Sequence, residues 1–176
     1  MTRRATLGVL AAGAVVVVAV LVVIGGESDD NPKRPPQPPR ATAPPAGPLE
    51  LPPPARYAAE RPERALASFM LAWHDRDWGR MLASTTRSWR MEAGAPRAAL
   101  VALFGGKRPR GYSVRRRVLN PGNARFEVLV QYAWKRAPRG RQVLSLNLLR
   151  EGFGGVIVAT GGRWGVDPRS VTVMRR

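Results

Sequence analysis

The stretch PERALASFMLAWHDRDWGRML, residues 62–82, carries the clearest structural signal in the chain. Its large apolar side chains recur every three or four residues, which is the spacing of one face of an α-helix. They are Leu66, Phe69, Met70 and Trp73. The pattern breaks at residues 74–77, and an aspartate such as Asp77 is a preferred N-cap of a following helix. The sequence therefore predicts a helix that begins at Pro62 and a second, short helix after Asp77.

Downstream of these helices the apolar spacing changes to that of strands. A third helix is predicted over Ala98–Phe104, ended by Gly105 and Gly106. After Gly111, apolar residues alternate with polar ones, as in strands that bury one face. The alternating residues are Tyr112, Val114 and Val118, then Phe126, Val128, Val130, Tyr132 and Trp134, then Leu144, Leu146 and Leu148. Shorter strand candidates follow at 156–160, 163–166 and 171–174.

Two short turn sequences determine how the long strands should pair. Residues 120–123 read Asn-Pro-Gly-Asn and residues 138–140 read Pro-Arg-Gly, both of hairpin length. Neighbouring strands should therefore be antiparallel. Helices that precede an antiparallel sheet in one segment predict an α+β fold in two layers.

The same residues resemble a known family. The stretch RALASFMLAWHDRDWGRMLASTTRSWR, residues 64–90, looks like the opening of nuclear-transport-factor-like domains, also called SnoaL-like or cystatin-like. The stretch GGRWGVDP, residues 161–168, is similar to their closing strand. The resemblance implies a cone in which helices pack on a curved antiparallel sheet. The segment GFGGVIVAT, residues 152–160, departs from the simplest form of that pattern and leaves the order of the last strands open.

An unbroken apolar run, ATLGVLAAGAVVVVAVLVVI, occupies residues 5–24. Helix of this length spans about 30 Å, the hydrocarbon thickness of a bilayer, which predicts a transmembrane helix over residues 5–26. A cleaved signal peptide is the alternative, but the run exceeds a usual signal core and no Ala-x-Ala site follows it. Arginines in residues 1–4 predict a cytoplasmic N-terminal tail and an extracytoplasmic C-terminal domain on a single-pass cell-membrane protein.

The segment after the apolar run is dominated by proline. Residues 27–55 contain eleven prolines and no apolar periodicity, which predicts an extended, disordered stalk. The folded domain is expected over residues 56–176. The chain has no cysteine, so this domain must be stable without disulfides.

The predicted domain is strongly basic. Residues 56–176 contain 24 Lys or Arg against 8 Asp or Glu. Such a field attracts anionic partners: lipid headgroups, a wall polymer or an acidic protein face, with nucleic acid a less favoured alternative. The residues predicted to make these contacts are Lys107, Arg108, Arg110, Arg115, Arg117, Lys135, Arg136, Arg139 and Arg141. The competing interpretation is an ordinary solvated surface.

One arginine stands out because it shares the phase of apolar neighbours. Arg116 alternates with Tyr112, Val114 and Val118, so it is predicted to face the cavity of the cone. Trp89 and His74 are the other residues predicted to line this anion pocket. Pairing of Arg116 with Glu127 or Glu151 is the alternative to a pocket role.

These patterns favour a non-enzymatic scaffold or docking component of a cell-envelope assembly, held in the bilayer by residues 5–26 and joined to other envelope proteins. The order of tail, span, stalk and outer domain is similar to inner-membrane components of conjugation and type IV secretion machines. The alternative is a small-molecule binder or an enzyme that uses the cone cavity for an anionic ligand. No catalytic residue and no cofactor is predicted. One histidine and no cysteine do not supply a usual zinc site.

Overall fold

The computed structural model describes residues 47–133 and 140–174, where four helices precede four strands. The helices are α1 (Pro62–Asp75), α2 (Trp78–Ala83), α3 (Arg87–Glu92) and α4 (Pro96–Phe104), with short 3-10 turns at Pro54–Arg56 and Phe153–Gly155. The strands are β1 (Pro109–Asn120), β2 (Asn123–Tyr132), β3 (Arg141–Glu151) and β4 (Arg163–Met174). The predicted α+β class is confirmed.

The predicted transmembrane run, residues 5–26, and the first part of the predicted stalk lie outside the described residues. Within the two described ranges, no helix is long and apolar enough to cross a bilayer.

The strands form one antiparallel sheet in the order β1-β2-β3-β4. Each strand pairs with its neighbour in sequence, because the connections are too short for a crossover. Asn120 pairs with Asn123 around the predicted Asn-Pro-Gly-Asn turn. The antiparallel pairing of neighbouring strands is therefore confirmed, whereas Pro138 and Arg139 of the second predicted turn lie outside the described residues.

The helices cover one face of this sheet and form the main core with it. The alternating residues of β2 and β3 supply the sheet side of the core, as predicted from their period. They are Phe126, Val128, Val130 and Tyr132 on β2, and Leu144, Leu146 and Leu148 on β3. From α1, the predicted stripe Leu66, Phe69, Met70 and Trp73 packs against them. The core thus follows directly from the two periodicities.

The step from α1 to α2 also forms as the sequence predicts. Arg76 ends α1 in the left-handed conformation, with φ 59°. Asp77 then caps α2, since its Oδ1 accepts a hydrogen bond from Arg80 N at 2.9 Å. This step holds α2 beside α1 and directs the chain toward β4.

The C-terminal strands differ from the prediction. Residues 163–166 and 171–174 belong to a single strand, β4, while residues 156–160 contribute only an isolated bridge between Ile157 and Glu151. The register of β3 against β4 shifts between Ser145 and Asn147. Ser170 holds this bulge, because its Oγ accepts from Asn147 N and donates to the Asp167 carbonyl. The bulge interrupts the apolar alternation along β4. For this reason the sequence pattern predicts two short strands where the structure has one.

The end of the predicted stalk lies on the opposite face of the sheet. Leu49 is buried there with Leu129 and Val143, and Leu49 N donates to Gln131 Oε1 at 3.0 Å. Tyr112 N donates to the Glu50 carbonyl at 3.0 Å. Residues 47–51 therefore pack on the sheet, ahead of the expected domain start at residue 56.

Candidate docking cleft

The structure corrects the predicted orientation of Arg116. The register of β1 against β2 shifts between Val114 and Arg116, so the alternation changes phase at this point. The Arg116 side chain is 70% exposed, and its Nη1 lies 3.8 Å from Glu127 Oε1. The prediction that Arg116 faces a cavity is wrong, and the alternative pairing with Glu127 is what the structure shows.

The other two predicted pocket residues lie on separate elements. Trp89 is buried in the core from α3, a short helix that the sequence patterns do not predict. His74 is in the last turn of α1, and its Nδ1 donates to the Pro109 carbonyl at 2.6 Å. His74, Trp89 and Arg116 therefore do not converge on one pocket.

The predicted basic surface residues take several different positions. Arg108, Arg110 and Arg115 are exposed, and Arg117 is paired with Glu63 at 2.7 Å. Arg141 donates to the Gly47 carbonyl. Lys135, Arg136 and Arg139 lie outside the described residues. Lys107 is half-buried and lies at the mouth of an apolar cleft.

This opening, named here the docking cleft, lies between the end of α4 and the helix-covered face of the sheet. Its volume is about 280 Å³. The side chains that shape it are Trp73, Leu103, Phe104, Tyr132, Val171 and Val173. These come from α1, α4, β2 and β4, so only the folded chain brings them together.

Trp73 fixes the floor of the docking cleft. Its indole Nε1 donates to the carbonyls of Phe104, at 2.9 Å, and Lys107, at 3.0 Å. Its ring makes edge contacts with Phe104 and Tyr132, with centroids 5.0 and 5.7 Å away. One side chain thus connects the ends of α1 and α4 to β2.

The polar groups of the docking cleft are few and lie at its mouth. Lys107 Nζ donates to Gln142 Oε1 at 2.8 Å and lies 5.4 Å from the Tyr132 ring centroid. Among the described residues, no carboxylate lies within 4.0 Å of Lys107. Burial raises the pKa of Tyr132, so its hydroxyl is still harder to ionise than that of an exposed tyrosine. The docking cleft is therefore apolar with one cation at its edge.

The outer face of α4 continues the apolar surface beyond the docking cleft. Val101 is 43% exposed and Leu103 is 60% exposed. A wide, shallow depression lies beside them, lined by Pro96, Ala98 and Ala102, and Ala102 lines the docking cleft as well. The sequence carried a signal for this surface, because α4 is apolar on nearly all sides whereas the structure covers only one of them.

Comparison of the chain with protein-family models, with curated proteins and with solved structures gives no match. The fold and the site define the class: an α+β domain whose helices pack on a four-strand antiparallel sheet and leave an apolar cleft beside the last helix.

Proposed function

We propose that the protein is a non-enzymatic docking module of a cell-envelope assembly, anchored in the membrane by residues 5–26 with its C-terminal domain outside the cytoplasm. The observation that carries the proposal is the uncovered α4 face joined to the docking cleft. Apolar patches of this kind on soluble domains mark interaction sites. The partner we propose is another envelope protein.

Charge around the surface defines the chemistry of that partner. Arg97 is exposed on α4, Lys107 lies at the cleft mouth, and Arg108 is exposed just beyond it. A partner with apolar anchors and an acidic rim would complement this arrangement, since complementary charge guides encounter while apolar burial supplies affinity.

The proposal includes the nuclear-transport-factor-like cone and the likeness in architecture to inner-membrane components of conjugation and type IV secretion machines. Support comes from the order of elements, with helices first and a meandering antiparallel sheet after them. A fold analogy alone does not establish function, so the docking surface has to be tested directly.

The natural absence of cysteine makes single-cysteine labelling a direct test. We expect Leu103→Cys and Val118→Cys, each in the full chain, to react in intact cells with a membrane-impermeant maleimide. Leu103→Cys should react several-fold more slowly in cells than in the purified protein, because a partner covers α4. Val118→Cys is the matched control, since Val118 is 41% exposed on β1, away from the docking cleft. The measurement is the labelling rate in each state.

This experiment tests the membrane topology and the docking at α4 separately. Reaction of both variants only with a permeant maleimide would place the domain in the cytosol and contradict the topology. Equal cell-to-purified ratios for the two variants would contradict docking at α4.

A second candidate function, binding of an amphiphilic anion in the docking cleft, is favoured by the Lys107 and Tyr132 pair. Lys107 has no carboxylate partner among the described residues, and the Tyr132 hydroxyl makes no hydrogen bond within them. An acyl chain would fill the apolar volume and its carboxylate would meet the cation at the mouth.

We expect Lys107→Met to weaken binding of a fluorescent fatty acid to the full chain about tenfold, the effect of losing one hydrogen bond to a charged group. Arg108→Met removes the same charge at an exposed neighbouring position and should leave the affinity unchanged. Titration of fluorescence measures both dissociation constants. Similar losses in the two variants would show a general charge effect and reject this ligand site.

A further inference from the structure

A second opening, named here the arginine cleft, is lined by Arg87, Arg90 and Arg163. We propose that these three arginines bind a phosphate-type oxyanion there. The arginine cleft has a volume of about 120 Å³ and lies between the α2–α3 connection and the junction of β3 with β4. Glu151 lines the arginine cleft and Leu144 lines the docking cleft, seven residues apart on β3. That separation is about 23 Å along an extended strand, so the inference is independent of the proposed docking.

Arg90 is held in place by neutral groups. Its Nη1 donates to the carbonyls of Leu82, at 3.2 Å, and Thr85. Both acceptors are backbone atoms, so these contacts orient the guanidinium without neutralising its charge. The remaining donors of the planar group are available to a ligand.

The one carboxylate of the arginine cleft has its own partners. Glu151 is buried and accepts from the backbone N–H groups of Arg87 and Ser88 and from Ser88 Oγ. None of these donors is a guanidinium. Glu151 therefore accepts hydrogen bonds at the N-terminus of α3. Among the described residues, it makes no ion pair within 4.0 Å with an arginine of the cleft.

Arg87 and Arg163, the other two arginines that line the cleft, are both exposed. Arg87 lies over the Phe153 ring, with its Cζ 5.9 Å from the centroid. Arg163 also lines two adjacent depressions, beside Arg64 and beside Arg80. Across the described part of the chain, no carboxylate lies within 4.0 Å of the Arg87 or Arg163 side chain. Three arginines thus line one cavity whose lining includes a single carboxylate, that of Glu151.

Electrostatics at Arg90 agree with this geometry. Burial lowers the pKa of Arg90, Glu151 raises it, and the nearby charges of Arg163 and Arg87 lower it further. The like charges are therefore close enough to repel each other. A bound anion would relieve that repulsion and the loss of solvation together.

Guanidinium forks match the tetrahedral oxygens of a phosphate better than a point charge does. The cavity has room for a few water molecules at about 30 Å³ each, which suits a small oxyanion rather than a nucleotide. Free phosphate and a phospholipid headgroup share this chemistry, and the experiment distinguishes between them.

The test is calorimetric titration of the full chain in neutral detergent with inorganic phosphate, at constant ionic strength in chloride. We expect saturable binding that Arg163→Gln weakens about tenfold and that Arg163→Lys weakens less. Arg97→Gln is the matched control, because it removes one exposed arginine charge from α4, outside the arginine cleft. Circular dichroism melting of each variant checks that the fold is intact.

A second arm measures binding of the same proteins to phosphatidylglycerol vesicles. Phosphate binding that is weakened in Arg163→Gln and unchanged in Arg97→Gln supports a site for the free anion. The same difference in the vesicle arm alone supports a headgroup site. Equal effects of the two variants in both arms, or no binding in either arm, would overturn the proposal.

Discussion

Replacing Trp73 with alanine is expected to lower the free energy of unfolding by about 4 kcal/mol, within the usual range for a large aromatic deleted from a core. Trp73 is buried, and its ring packs on Phe104 and Tyr132. Its Nε1 also donates to the carbonyls of Phe104 and Lys107, and both of these hydrogen bonds would be lost. Urea unfolding of the full chain followed by circular dichroism measures the change.

One further variant separates packing from hydrogen bonding at Trp73, and a second variant elsewhere is the control. Trp73→Phe keeps an aromatic ring but removes the indole N–H, so it should cost about 1–3 kcal/mol. Phe153→Ala is the control, because Phe153 is 96% exposed and its loss should change stability by no more than about 0.5 kcal/mol. A loss at Trp73→Ala as small as that control would show that Trp73 does not connect α1, α4 and β2.

Gly111→Ala should release residues 47–51 from the sheet and lower the free energy of unfolding by about 3 kcal/mol. A methyl group at Gly111 would overlap the Leu49 carbonyl oxygen and lie 2.8 Å from Glu50 N. The released segment would expose Leu49, worth about 1.5–3 kcal/mol. It would also break the hydrogen bond between Tyr112 N and Glu50 O, worth about 1 kcal/mol. Faster hydrogen exchange at the Leu49 and Tyr112 amides is the local measurement.

Gly106→Ala is the matched glycine control for this prediction. A methyl group at Gly106 meets nothing within 4 Å, so its effect should stay within about 0.5 kcal/mol. Unchanged exchange at Leu49 in Gly111→Ala would contradict the close approach of the two backbones. It would also return the start of the folded domain to residue 56.

Local sequence patterns were sufficient to predict a helix or strand and its buried face wherever one apolar periodicity runs without interruption. The stripe of α1, the Asp77 cap and the alternation of β2 each involve residues close in sequence, and each forms as predicted. They are predictable because a helix or strand with a continuous apolar face has one arrangement that buries it.

The wrong predictions of strand bounds and side-chain orientation arose where an apolar periodicity is interrupted. At Arg116 and near Ser145, register shifts change which side of the sheet the following residues face. A shift of one residue moves the side chains that follow it to the opposite face of the sheet. The alternation therefore predicts the wrong face for Arg116. The α3 helix was missed because it is one short element whose N-terminal N–H groups are satisfied by Glu151, from a distant strand.

The sequence by itself determined the α+β class, the order of helices and strands, the antiparallel hairpins and most of the core. It also located the excess of positive charge. Only the tertiary structure decided which residues meet at the docking cleft and the arginine cleft, because Trp73, Lys107, Tyr132 and Val173, or Arg87, Glu151 and Arg163, are distant in the chain. Periodicity reports which face a residue takes within its own element, whereas a cleft depends on where separate elements end and pack.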